Sequence, residues 1–189
     1  MPFDVRPYTP ADFPALAELF GRAGASNGCW CMYWRLGPRY HERDRARNQR
    51  DRSGIASGLL AFPDSLAVGW CELAPRADFP WLARVRRLEP VDDLPVWSVP
   101  CFYVRRSHRG RGVTRALIEA AVPVARAAGA PALEAYPIDT SVPGHTRNLF
   151  PGVASTFAEC GFQEVARRAP FRPIMRRRLL RAEPRAADR

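Results

Sequence analysis

The chain has 189 residues, a hydrophobic content of 47% and a formal net charge of +10. That length suits one domain with a sizeable core. The absence of any run of eighteen apolar residues, and of a charged-then-apolar leader, excludes a spanning helix and leads us to expect a cytoplasmic protein with no membrane partner.

In chain order, Phe3-Asp4-Val5-Arg6-Pro7 alternates as a short strand does. Thr9-Pro10-Ala11-Asp12 then opens a helix, with Thr9 as N-cap and Asp12 completing a capping-box-like pair. Phe13, Leu16, Ala17 and Phe20 fall at helical spacing. Residues 29–34 form an aromatic and sulfur cluster. Residues 35–58 are strongly charged and predict a surface helix or mobile loop. Residues 59–62 and 66–73 predict two strands around a Pro63-Asp64-Ser65 turn. Residues 96–104 predict a long strand in which Pro100 forces a bulge or an unpaired stretch. From Thr114, the residues Leu117, Ile118, Ala121, Val122 and Ala125 share one helical face. Pro123 should kink that helix and Gly129 ends it. Residues 133–138 predict a strand and residues 153–159 a short helix. Residues 162–167 and 173–179 predict a closing hairpin. The last ten residues, 180–189, are a polar, Arg-rich tail after a domain spanning 1–179.

The most informative stretch is Arg109-Gly110-Arg111-Gly112-Val113-Thr114, between the long strand and the amphipathic helix. Amides at a helix start lack intrahelical acceptors and bind anions. Glycine admits a ligand close to the backbone, and arginine adds a planar donor fork. This is a site for a phosphorylated ligand. All 29 basic residues are arginine. A lysine-free chain rich in Ala, Arg and Pro has the composition of a G+C-rich coding sequence, so its charge points to a small anionic ligand rather than nucleic acid. A Walker A lysine is impossible, and Arg115 stands where a dinucleotide fingerprint needs its third glycine.

Strand, Arg109–x–x–Gly112–x–Thr114 and helix together resemble the acetyl-CoA motif of the GNAT superfamily of N-acetyltransferases, although Thr114 stands where that motif has Gly or Ala. The opening residues 3–20 resemble its first strand and helix. The Pro100 strand resembles its bulged fourth strand, and Cys160-Gly161-Phe162 its late Gly-Phe. The resemblance runs over residues 3–179. It implies an α/β (α+β) fold with a mostly antiparallel central sheet of six to seven strands, flanked by helices, whose splayed strand pair holds acetyl-CoA. It implies an acyltransferase moving an acetyl group from acetyl-CoA to a primary amine, on a small molecule or a protein, by direct attack in a ternary complex. A monomer or homodimer would suffice. The implied cofactor contacts are Phe102, Tyr103, Val104, Arg109, Gly110, Arg111, Gly112, Val113 and Thr114, with an amide around residues 102–104 polarising the thioester carbonyl. The alternatives are a non-catalytic acyl-CoA sensor and a basic nucleic-acid-associated protein.

Glu72 and Asp139 are the candidate general bases, with a water relay as the third option. Phe157 stands where the family often has a tyrosine acid. That leaves Tyr136 or Tyr103 as the acid, or a thiolate that departs unassisted. Trp30 and Tyr33 are candidates for the acceptor-pocket wall, where an aromatic face attracts a cation. Cys29 and Cys31 lack the further ligands that zinc needs, so no metal is expected and they are read as small buried hydrophobes. The odd, scattered set of five cysteines favours reduced thiols. Arg172, Arg176, Arg177 and Arg178 are expected on an exposed strand and tail.

Overall fold

A computed structural model describes residues 3–179; the 180–189 tail lies outside them. β1 (Asp4–Pro7) leads through a 3-10 turn at Pro10–Asp12 into α1 (Phe13–Phe20). The Thr9 N–H and hydroxyl both donate to the Asp12 carboxylate, at 3.0 and 2.8 Å. α2 (Tyr33–Leu36) and α3 (Arg45–Ser53) follow, then β2 (Leu59–Phe62), β3 (Gly69–Cys71), β4 (Ala74–Pro75) and α4 (Pro80–Arg84). β5 (Trp97–Val99), β6 (Phe102–Val104), α5 (Val113–Ala127), β7 (Ala132–Ala135), α6 (Ala154–Glu159), β8 (Gln163–Arg167) and β9 (Pro173–Arg178) complete the order.

The strands form two sheets, ordered β1-β2-β3-β6 and β4-β5-β7-β9-β8. Every pair is antiparallel except β5 with β7. One expected strand is broken and another shortened. The 96–104 strand parts at Pro100 and Cys101, where proline has no N–H for a ladder. β5 stays on β7 while β6 swings to β3. The expected 66–73 strand is paired only at β3, Gly69–Cys71, and the chain resumes as β4 just past its expected end, at Ala74. Counting β3 with β4 and β5 with β6 turns nine strands into the seven the fold class requires.

α5 covers both sheets on one side. Its buried residues Val113, Leu117, Ile118, Ala121, Val122 and Ala125 form one stripe and meet Leu59, Ala61, Leu133 and Met175. Pro123 sits on the exposed side and the helix continues through it. β2 is buried on both faces. Leu60 and Phe62 point the other way, into a cluster with Leu16, Phe20, Trp30 and Trp70. A third cluster gathers Trp34, Phe79, Leu82, Leu88, Tyr136 and Ile174 beneath α2 and α4.

The charged 35–58 segment is not merely a surface element. Asp44 caps α3 by accepting the Ala46 N–H at 3.1 Å. Arg52 is fully buried and donates to the Glu72 carboxylate at 2.7 Å and to the carbonyls of Ile55 and Ser57. Its guanidinium also lies 4.8 Å from the Trp70 ring. Removing one member of such a pair leaves an uncompensated buried charge. We therefore expect Arg52→Ala to destabilise the fold by about 3–5 kcal/mol in urea unfolding. A loss well below 1 kcal/mol would show the pair to be dispensable.

Candidate functional site

The split at Pro100 builds the site. In the β3–β6 register Trp70 lies opposite Tyr103. Arg105 N–H donates to the Val68 carbonyl at 2.8 Å, and Glu72 N–H to the Cys101 carbonyl at 3.0 Å. This alternation turns the N–H groups of Phe102 and Val104 away from β3, toward the gap left by β5 and β7. The Trp34 indole N–H donates to the Pro100 carbonyl at 3.1 Å and ties α2 to the break.

A cleft of about 830 Å³ opens along this gap. Its floor is Cys101, Phe102, Tyr103 and Val104, and Arg109 and Thr114 stand at its glycine-turn end. Residues of the 148–153 segment form one wall. Phe20, Cys29, Cys31, Tyr33, Trp34 and Tyr40 line the other parts. Among the described residues, no Asp, Glu or His lines it.

The glycine turn has the conformation its sequence requires. Gly110 and Gly112 have φ of +73° and +83°, and Gly112 is the left-handed N-cap of α5. A Cβ at either glycine would meet nothing within 4 Å, so the backbone there is open to a ligand. The Arg109 side chain donates to the Val104 carbonyl at 3.2 Å. Of the expected cofactor contacts, Phe102, Tyr103, Val104, Arg109 and Thr114 line the main cleft. Arg111 and Gly112 line a smaller hollow with Phe3, Val5 and Arg115. The Val113 side chain is in the core. The Phe102 N–H already donates to the Phe150 carbonyl at 2.6 Å, so the 148–152 segment occupies part of the strand gap.

Of the expected acid–base residues, Tyr103 lines the cleft and Glu72, Tyr136 and Asp139 lie elsewhere. Glu72 is 1% exposed. One of its oxygens takes Arg35 at 3.0 Å and Ser57 at 2.6 Å, and the other takes Arg52. Tyr136 is fully buried. Its hydroxyl donates to Glu134 at 2.8 Å and accepts from Arg76, and burial pushes its pKa up. Asp139 is held by Ser141 at 2.6 Å and Arg167 at 2.8 Å, which lower its pKa. None of the three lines the cleft. Trp30 is also corrected: it packs between Phe13 and Phe20 in the core, and Trp34 takes its place on the wall beside Tyr33. Phe157 is buried against Phe102 and Phe162 and offers no hydroxyl.

Cys101, Tyr40, Phe150 and Thr156 are cleft residues that sequence patterning did not single out. The position of Cys101 beside Pro100 was the one available signal. Two of the cleft thiols are shifted upward. A hydrogen bond with Cys31, then burial, pushes Cys101 up, and burial, then Cys31, does the same to Cys29. Arg172 and Arg176, expected on an exposed strand, are 6% and 8% exposed. β9 is covered on both faces, with Met175 packed in the cluster of Phe157, Cys160 and Phe162 at α6 and Ile174 in the α2–α4 cluster.

A family model described as the acetyltransferase (GNAT) family matches residues 24–146. No curated relative matches the sequence. Among solved structures, one described as an acetyltransferase is 20% identical, covers 94% of this chain and 100% of its own, and superposes with a TM-score of 0.60. A Corynebacterium glutamicum structure described as histone acetyltransferase HPA2 and related acetyltransferase is 20% identical over 95% and 98% of the two chains, TM-score 0.57. The putative acetyltransferase yncA of Salmonella typhimurium, solved with its cofactor acetyl-CoA, is 17% identical over 100% and 99%, TM-score 0.54. At these identities the structures speak for the fold alone. The family match covers well over half of the residues, and the chain belongs to the GNAT family of acetyltransferases.

Proposed function

We propose that the protein transfers an acetyl group from acetyl-CoA to a primary amine by direct attack in a ternary complex. The observation that carries this reading is the alignment of three features along one cleft. These are the Arg109 and Thr114 end, which flanks the open backbone of Gly110 and Gly112, the outward N–H groups of β6, and an aromatic wall at Tyr33, Trp34 and Tyr40. The α5 tip would take the diphosphate through its unpaired amides, with Arg109 and Arg111 adding charge. Val104 offers its N–H to the pantetheine arm as an added strand would use it. Phe102 can do the same, or polarise the thioester carbonyl, once the Phe150 carbonyl gives up its bond. The acceptor nitrogen attacks the carbonyl carbon and the C–S bond breaks. The nitrogen's surplus proton then leaves to the departing thiolate or to water.

Glu72, Asp139 and Tyr136 act structurally in this reading, because their polar atoms are engaged outside the cleft. A non-catalytic acyl-CoA sensor is the second reading, favoured by Phe157 and by the cleft's lack of a carboxylate. Release of free CoA thiol across an amine panel separates the two.

Acetyl-CoA at about a hundredfold over its Kd should raise the Tm by roughly 5 °C or more. Gly112→Asp should abolish that rise, since it forces a side chain and a negative charge into a left-handed position beside the diphosphate. An unchanged Kd in the variant would remove the assignment. Direct attack also predicts that no acetylated Cys29 or Cys101 accumulates on incubation with acetyl-CoA alone, because their raised pKa values keep the nucleophilic thiolate scarce near neutral pH. Intact-mass and peptide mass spectrometry read this. A stoichiometric acetyl-cysteine would replace direct attack by a two-step transfer.

A further inference from the structure

The buried or half-buried arginines beneath the cleft are paired with carboxylates. Arg35 and Arg52 hold Glu72, Arg76 holds Glu134, and Arg176 holds both Glu134 and Asp92. Arg172 departs from this pattern. It is 6% exposed, its Nε is enclosed without a hydrogen-bond partner, and no carboxylate among the described residues pairs with it. A buried cation without a counter-ion is costly, and the fold sets a second arginine, Arg87, near this one. Burial, then the neighbouring Arg87, lowers its pKa to about 10, while nearby Tyr33 opposes that shift.

Its position is fixed by the sheet. The β7–β9 register runs Ala132 opposite Arg178 to Ala135 opposite Met175. Continued past the strands, it sets Ile138 opposite Arg172, in step with the Asp139 N–H donating to the Phe171 carbonyl at 2.9 Å. Ile138 N–H in turn donates to the carbonyl of Gly152, a cleft-wall residue. By strand alternation Arg172 shares a face with Ile174, which is buried with Trp34 and packed near Tyr33. Both aromatic residues line the cleft.

We propose that Arg172, with Arg87 and Tyr33 beside it, is an anion site set behind the aromatic wall at the acceptor end of the cleft, outside the residues that line it, and that the acceptor is an amine bearing a carboxylate or phosphate-type oxyanion on an apolar body. This rests on the acetyltransferase reading. The cleft explains why such an acceptor fits. A simple alkylammonium would enter a lining with no carboxylate, on a protein of net charge +10. An amine that carries its own anion brings the counter-charge with it. The guanidinium fork matches the anion and the aromatic wall takes the apolar body.

The test compares L-phenylalanine with phenethylamine and phenylalaninamide, and with the phosphonate analogue of phenylalanine, by CoA-thiol release. One or both acids should have a KM about tenfold or more below the acid-free amines; which acid is preferred tells carboxylate from phosphate. Arg172→Gln should erase that preference chiefly through KM. Arg172→Lys should keep part of it, and the acetyl-CoA thermal shift should persist in both. If Arg172→Gln does not fold, the wild-type ratio and the exposed Arg87→Gln variant, expected to raise KM for the acids alone, decide the matter. Acid-free amines used equally well would overturn the proposal, as would a preference that survives Arg172→Gln. So would the lack of both turnover and saturable binding by either acid in the presence of CoA. Loss of the acetyl-CoA shift in the wild-type protein would instead sink the acetyltransferase reading itself.

Discussion

The site depends on a strand that cannot continue. Pro100 has no N–H to give, and the chain beyond it leaves one sheet for the other. Had residues 96–104 paired throughout with β7, the amides of Phe102 and Val104 would be consumed in a ladder and no cleft would exist between β6 and β7. Instead β5 keeps the parallel pairing, β6 joins β3, and the gap widens from the break outward. The Trp34 indole bonded to the Pro100 carbonyl anchors the aromatic wall to the same point. Floor and wall are thereby positioned by one local defect in hydrogen bonding, while α5, packed across both sheets, holds the glycine turn at the far end.

The arrangement of charge follows from that geometry. Sheet residues near the broken strands face the interior, and the two buried glutamates there are each gripped by two arginines. Glu72 joins α2 and α3 to the β3–β4 junction. Glu134 joins β7 to β9 and to the segment after β4 through Arg76. The guanidinium offers several donors in a plane, so one arginine can bridge a carboxylate and a carbonyl together, as Arg52 does with Glu72 and Ser57. These carboxylates hold elements together. The cleft is left with amides, aromatic rings, hydroxyls and thiols.

The features legible in the sequence were those encoded locally. The stripe Leu117, Ile118, Ala121, Val122, Ala125 fixes the buried face of α5, Thr9 and Asp12 fix a helix start, and Gly110 and Gly112 fix a turn that only glycine adopts without strain. Pro100 announced the strand break. Partners distant in the chain were not legible. Trp70-Cys71-Glu72-Leu73 reads as an alternating strand whether Glu72 faces water or Arg52, and nothing near Glu72 says that an arginine from a highly charged helix will be buried against it. Trp30 and Trp34 are equally aromatic. The left-handed backbone at Trp30 and Cys31 turns the first into the core and presents the second to the cleft. Arg172 and Arg176 alternate with apolar residues as an exposed strand would, and only the helices packed over both faces of β9 bury them.

The same distribution of charge constrains how protons move in the proposed reaction. Cys29 and Cys101 are pushed upward, the carboxylates are engaged elsewhere, and among the described residues no carboxylate or imidazole lines the cleft. An ammonium held there must give one proton to water before it can attack, so the reactive fraction is set by the acceptor's own pKa, and the departing thiolate or water takes the proton that the nitrogen still carries after attack. A positively charged surrounding favours the neutral amine over the ammonium, which is the direction catalysis needs. The protein's contribution then lies in holding thioester and amine together and in offering amides to the developing oxyanion, with deprotonation governed by the field rather than by a dedicated base.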